Sequence, residues 1–438
     1  MNTLIKRASA VMAVLMMCGC GSSGTPADTL TQTVTEASTA EGAAVSETEP
    51  AQTTLSETAA EEPLQTKAPE TAAESESLTT TEKAVTDHMS LFRNKLTEII
   101  ATTEADYLPQ YMFSLYDVGG DETPELLVSN GEFHAASVEV FSVIDGEVKS
   151  VGYEGSYGEA LYMPSVRKFN GFYGGMGYFT NTLDTFDGKT INTEISVEMY
   201  EGPDMESSDY DNLIQEYRIN GELVTKEEYE KARDENFAPS TIYLGRDHYL
   251  NENGISAVFD ENDMDTAFDK VIMSVPDQES GWGDPYLNAY ADIDGDGVHE
   301  LFLRSDYNCR VYAYDGSIKY CGRMPSYEDM SGDSFDYSGY DLDWSYDYDT
   351  TQYRVYVGRK DGDLIWRETG LHDNIYTMTY ENGRIKAKDV FHRYQLTDGT
   401  SIYVKNEKLT DSDEYDKLIA VLDSDEYIRP DFTPLAVG

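Results

Sequence analysis

Tyr111-Met-Phe-Ser-Leu-Tyr-Asp117-Val-Gly-Gly-Asp121-Glu122-Thr-Pro-Glu125-Leu-Leu-Val128 and Tyr286-Leu-Asn-Ala-Tyr-Ala-Asp292-Ile-Asp294-Gly-Asp296-Gly297-Val298-His-Glu300-Leu-Phe-Leu303 are two versions of one unit. Each sets an acid- and glycine-rich turn between two short apolar runs, and so reads as strand, tight loop, strand. The match extends in both directions. Upstream, Val85, Met89, Phe92, Leu96, Ile99 and Ile100 recur at helical spacing, as do Met264, Phe268, Val271, Ile272 and Val275 before Pro276 stops the helix. Downstream, Asp145-Gly146 and Asp315-Gly316 are hairpin turns flanked by alternating Val, Ile and Tyr, and Asp187-Gly188 and Asn382-Gly383 are a later corresponding pair. The closing elements align too. Tyr217–Tyr229 and Tyr403–Tyr415 each read as strand, turn and helix start, with Thr225 and Glu228 forming a capping box and Asp411 at the equivalent cap.

These matches predict an α+β fold of two tandem pseudo-repeats, residues 83–258 and 259–438, each a mainly antiparallel β-meander with a few flanking helices. The chain carries 82 Asp and Glu against 32 Lys and Arg, a net charge of −50. Such a field leaves no basic face for phosphates and excludes nucleic acid as a partner. No nucleotide is expected either: Gly171–Phe179 is glycine-rich but lacks the Gly-Lys-Ser/Thr ending of a phosphate loop, and reads as a flexible hairpin.

The first aromatic residue is Phe92, so a packed core cannot start much before residue 84. Residues 21–82, rich in Thr, Ala and Glu, predict a disordered tether. Ahead of it, Lys6 and Arg7 precede the apolar run Ala8–Met17, too short to span a bilayer, and residues 1–20 read as a signal peptide. Its end, Met17-Cys18-Gly19-Cys20, resembles the bacterial lipoprotein signal. The resemblance implies lipidation of Cys20, a membrane anchor and an extracytoplasmic place at the bacterial cell surface.

The loop from Asp292 to Glu300 carries the specific chemistry. Carboxylates fall at loop positions 1, 3, 5 and 9 (Asp292, Asp294, Asp296, Glu300), Gly297 permits the reversal at position 6, and the Val298 carbonyl is available at position 7. Hard oxygen ligands spaced this way wrap a Ca²⁺ ion. A helix-loop-helix site needs a bidentate acid at position 12, where Leu303 lies within an apolar strand. The loop instead resembles the calcium hairpins of FG-GAP and VCBS-type repeats, Asp-x-Asp-x-Asp-Gly-x-x-Asp, with Glu300 in place of the last Asp. That likeness covers about 20 residues per copy. Those families build propellers from closely spaced repeats, whereas these loops lie 175 residues apart, so the propeller does not carry over. The first copy keeps Asp117, Asp121 and Glu125 but has Gly119 at position 3 and Glu122 at position 6, which makes it the weaker site or a purely structural hairpin.

Cys309 and Cys321 flank the Asp315-Gly316 turn and read either as a disulfide between facing strands, if the register permits, or as two buried thiols. Residues 327–349 hold eight acids, seven aromatics and no base, so a strand there puts acids on one face and rings on the other. The expectation is a half-buried strand, or else a ligand surface built on Trp344, Tyr346 and Tyr348.

Catalysis finds little support. The six histidines are scattered, and the chain has neither a His-Glu-x-x-His motif nor a Gly-x-Ser-x-Gly motif. The leading expectation is a non-catalytic, calcium-stabilised surface lipoprotein that binds or adheres to a glycan or protein. The alternatives are a secreted carboxylate-dependent hydrolase such as a glycosidase, and a solute-binding lipoprotein. As a whole the chain resembles bacterial surface lipoproteins that join a lipidation signal, a Thr/Glu-rich linker and calcium hairpins.

Overall fold

Turn and cap chemistry lay out one series of elements twice. The computed structural model describes residues 73–435 except 132, 134, 176, 205–208, 238–240, 277–285, 306–307, 326–339, 344–351, 360–361 and 371. Helix α1 (Ala73–Thr102) leads into β1 (Met112–Tyr116), β2 (Glu125–Ser129), β3 (Val138–Ile144) and β4 (Glu147–Glu154). A second meander follows: β5 (Ala160–Met163), β6 (Lys168–Gly175), β7 (Tyr178–Phe186), β8 (Ile191–Asp204), β9 (Asp209–Ile219) and β10 (Glu222–Val224). After helix α2 (Lys226–Phe237) the chain returns through β11 (Ile242–Leu244) and β12 (His248–Tyr249), and helix α3 (Glu252–Phe259) connects to the second repeat.

The second repeat runs α4 (Met264–Ser274), β13 (Leu287–Ala291), β14 (Glu300–Arg304), β15 (Cys309–Tyr314) and β16 (Ile318–Met324), then β17 (Gln352–Gly358), β18 (Asp363–Thr369), β19 (Asp373–Glu381), β20 (Arg384–Gln395), β21 (Ser401–Lys405) and β22 (Lys408–Thr410). It closes with α5 (Ser412–Leu422), β23 (Tyr427–Ile428) and β24 (Thr433–Pro434). The strand orders correspond one to one. The five-stranded sheets are β12-β1-β2-β3-β4 and β24-β13-β14-β15-β16; the seven-stranded sheets are β10-β9-β8-β7-β6-β5-β11 and β22-β21-β20-β19-β18-β17-β23. The expected α+β duplication is therefore present, and Thr79–Gly438 forms one compact unit.

Each repeat is layered as helix, five-stranded sheet, seven-stranded sheet, helix. Leu127 faces the core between the two sheets, whereas its neighbours Leu126 and Val128 face Phe92 and Leu96 of α1. In the second repeat Phe302 faces the inter-sheet core, and Leu301 and Leu303 face Phe268 and Val271 of α4. Being covered on both faces explains why these strands read as continuous apolar runs rather than as alternation. On the outer side Tyr229 of α2 packs against Tyr217, ring centroids 5.1 Å apart, and Tyr415 of α5 against Tyr403 at 5.3 Å, both pairs tilted. The expected caps form: the Glu228 N–H donates to Thr225 Oγ1 (3.2 Å) while the Thr225 N–H donates to Glu228 Oε2 (2.9 Å), and the Glu414 N–H donates to Asp411 Oδ1 (3.0 Å). At the hairpins Asp145-Gly146 and Asn382-Gly383 take the left-handed backbone that a two-residue turn requires (φ 56°, 79°, 53° and 75°).

Helix α1 starts at Ala73, and no Gly or Pro occurs between Pro69 and Pro109 to stop it propagating back from its packed end. One alternative needs correction. Cys309 and Cys321 are not bonded to each other. A β-bulge between Val311 and Tyr312 slips the pairing, so Cys309 faces Met324, and both thiols are buried in the inter-sheet core.

Polar contacts join the two repeats. Glu159 pairs with Arg246 (3.1 Å) of its own repeat and with Arg323 (2.6 Å) of the other. Buried Arg310 donates to the Arg246 carbonyl at 3.1 Å and lies over the Tyr249 ring, and Tyr312 Oη donates to the Asp247 carbonyl at 2.7 Å. Crowding by Arg310 and Arg323 adds to burial in pushing the Arg246 guanidinium down to about 9. Apolar closure comes from α3, which sends Ile255 into the first helix-facing core and Ala257 into the second.

Candidate metal centre

The loop between β13 and β14 gathers its acids because two glycines, Gly295 (φ 77°) and Gly297 (φ 88°), adopt a backbone that other residues resist. One carboxylate oxygen from each of Asp292, Asp294 and Asp296 lies within 4.8 Å of the others. Asp292 organises the turn: its Oδ1 accepts the Gly295 N–H (2.7 Å) and its Oδ2 the Gly297 N–H (3.0 Å). Asp294 Oδ1 accepts the Asp296 N–H (3.2 Å), and Asp296 Oδ1 accepts the Val298 N–H (2.6 Å). Three carboxylates this close repel one another, and a hard divalent cation offsets that repulsion. The group can hold a metal ion. Among the described residues it is the only such group of three.

Glu300, the fourth expected carboxylate, stands outside this group. It is the first residue of β14, is buried, and takes the Ile293 N–H on Oε2 at 2.8 Å, so it braces the loop from the core side. Burial pushes its carboxyl up to about 7, with Asp294 and Asp296 adding to the shift and the Ile293 N–H opposing it.

The first copy keeps the frame without the cluster. Asp117 Oδ1 accepts the Gly120 and Asp121 N–H groups (2.5 and 3.1 Å), Oδ2 accepts the Glu122 N–H (2.9 Å), and Glu125 braces the turn by accepting the Val118 N–H (3.1 Å). Gly119 supplies no third carboxylate, and Glu122 occupies the left-handed position at φ 68°. A protein cation stands here: the Arg167 guanidinium donates to the Gly120 carbonyl at 3.2 Å, and its Cζ fills the space a Gly120 Cβ would need. Strand register puts Gly362 at the position equivalent to Arg167, and both take positive φ (55° and 68°).

Other expected residues fall elsewhere. Cys20, the signal peptide and tether residues 21–72 lie outside the described residues, as do Trp344, Tyr346 and Tyr348. Next to them, Leu342 is buried and bridges to Leu396. No helix among the described residues is long and apolar enough to cross a membrane. Reading the sequence also passed over a groove in the first repeat around Glu154, Gly171 and Asp184. The available signal was the contrast between Gly171 and the Trp366 that occupies its place in the second copy, but that alignment requires the strand register. Comparison with known protein families, with curated proteins and with solved structures finds no match for this chain.

Proposed function

We propose that the chain is a non-catalytic lipoprotein displayed at the bacterial cell surface, anchored through Cys20, stabilised by Ca²⁺, and used to recognise or adhere to a glycan or protein. The observation that carries the calcium assignment is the convergence of the Asp292, Asp294 and Asp296 oxygens within 4.8 Å on a glycine-reversed loop. The ligands are those three carboxylates, the Val298 carbonyl and Glu300, which also braces the loop. A site of this kind in an extracellular module binds with a dissociation constant on the order of 10⁻⁴ to 10⁻³ M. At ten times that concentration Ca²⁺ adds about 1.4 kcal/mol, which for a unit of this size raises the melting midpoint by about 2 °C.

Thermal melts in excess Ca²⁺ and in chelator test this reading. The calcium-dependent gain should vanish in Asp292→Ala and persist in Asp117→Ala, and an unresponsive wild-type protein overturns the site. For the anchor, Cys20→Ala should move the protein from the membrane to the soluble fraction; unchanged partition removes lipidation from the proposal.

A further inference from the structure

The repeats differ most where their two sheets face each other. Two β-bulges recur in each repeat and fix the correspondence. Gly152 lies opposite Val140 as Gly322 lies opposite Val311, and the bulge at Leu183/Asp184 recurs at Thr377/Met378. Counted from these anchors, Glu154 corresponds to Met324, Asp184 to Met378, Thr182 to Tyr376, and Gly171, one strand over, to Trp366. In the second repeat Met324, Met378, Tyr376 and Trp366 are buried together in one core cluster, with Trp366 and Met324 fully enclosed.

In the first repeat the same positions surround an open groove of about 340 Å³, within the size range of ligand pockets. On the face it shares with Gly171 and Asp184, its wall carries the ring of Tyr173 (50% exposed). On its floor Asp184 accepts Thr182 Oγ1 and Thr193 Oγ1, each at 2.5 Å. At Gly171 a Cβ would come within 2.2 Å of Thr182 Oγ1 as that hydroxyl stands, so the glycine keeps the floor open. Glu154 is 94% buried, from a relative exposure of 6%, and among the described residues no group hydrogen-bonds its carboxyl. A buried acid without such a partner costs stability, and packed apolar side chains at the equivalent sites show that this fold does not need one. Retaining it points to a ligand.

Resting on the surface-binding reading above, we propose that this groove binds a carbohydrate segment, which stacks on Tyr173 and shares hydroxyl hydrogen bonds with Glu154 and Asp184. Sugars combine C–H faces suited to rings with hydroxyls that both donate and accept, and the groove offers the same pair of surfaces. Burial, reinforced by Asp184, pushes the Glu154 carboxyl up to about 8, so at neutral pH it carries a proton to donate while Asp184 accepts.

The test titrates the full-length chain with short soluble oligosaccharides of glucose, xylose, mannose and N-acetylglucosamine, followed by calorimetry. At least one series should saturate. Tyr173→Ala should weaken binding about three- to tenfold. Glu154→Met, which installs the second repeat's residue, should abolish binding yet raise the melting midpoint at pH 8. A structural carboxyl would lower that midpoint instead. Failure of every series, or binding unchanged in both variants, overturns the groove. Binding lost only in Trp344→Ala overturns the groove while leaving the surface-binding reading standing, and saturation by oligolysine alone overturns carbohydrate as the ligand. Release of reducing ends abolished by Glu154→Gln would keep the groove and overturn the non-catalytic reading.

Discussion

The first repeat is hollow where the second is filled, and the second carries a metal-competent loop where the first is braced by an arginine. Both differences sit on one strand scheme, down to the bulges. The backbone topology therefore does not depend on either feature. What differs is where stability comes from. Trp366, Met378 and Met324 supply apolar burial in the second repeat, whereas the first gives up that burial for buried carboxyls and a solvent-open groove. Its loop exchanges a third carboxylate for the Arg167 guanidinium.

The largest expected effect comes from emptying the filled repeat. Trp366→Ala removes a fully enclosed side chain and should cost about 3–5 kcal/mol in urea unfolding; a loss below about 1 kcal/mol would mean that the second core tolerates hollowing as the first does.

Next is the pH dependence of the hollow repeat. The Glu154 carboxyl keeps its proton up to about pH 8 in the fold but loses it near 4.5 when unfolded. Between those values the unfolded state binds fewer protons, so stability falls as pH rises, by at most about 1.4 kcal/mol per pH unit. The slope across this window should lessen by up to that amount in Glu154→Gln, with Glu300, also raised, to about 7, supplying part of what remains, and an unchanged slope would place the titration elsewhere.

The loops can be interconverted. A Cβ at Gly119 would meet only Phe186, at an ordinary 3.6 Å, so Gly119→Asp with Glu122→Gly should create a second calcium response, again about 1.4 kcal/mol at ten times the dissociation constant. If melts of the double variant show no added Ca²⁺ dependence, the missing carboxylate is not what separates the two loops. The smallest effect is Arg167→Ala, expected to cost about 1 kcal/mol equally with Ca²⁺ and with chelator.

The duplication was legible because its markers are local. Asp145-Gly146 and Asn382-Gly383 demand a left-handed turn, Thr225 and Asp411 cap helices, and the helical stripes of Phe92 and Phe268 declare which side is buried. The three loop aspartates were legible for the same reason, being separated by single residues. The bracing role of Glu300 was not legible, because its place at the head of a buried strand, accepting the Ile293 N–H, depends on the sheet and not on loop spacing.

Sequence by itself determined the charge, the repeat and the acid spacing of the calcium-type loop, since each rests on residues near one another along the chain. Tertiary structure alone decided three matters. The hairpin register set Cys309 opposite Met324 and not Cys321, Arg167 came to the first loop from 47 positions away, and Glu154, Gly171 and Asp184 converged from separate strands into one groove. In each case the deciding quantity is strand register, which depends on cooperative packing of two sheets and is not written in any single stretch of chain.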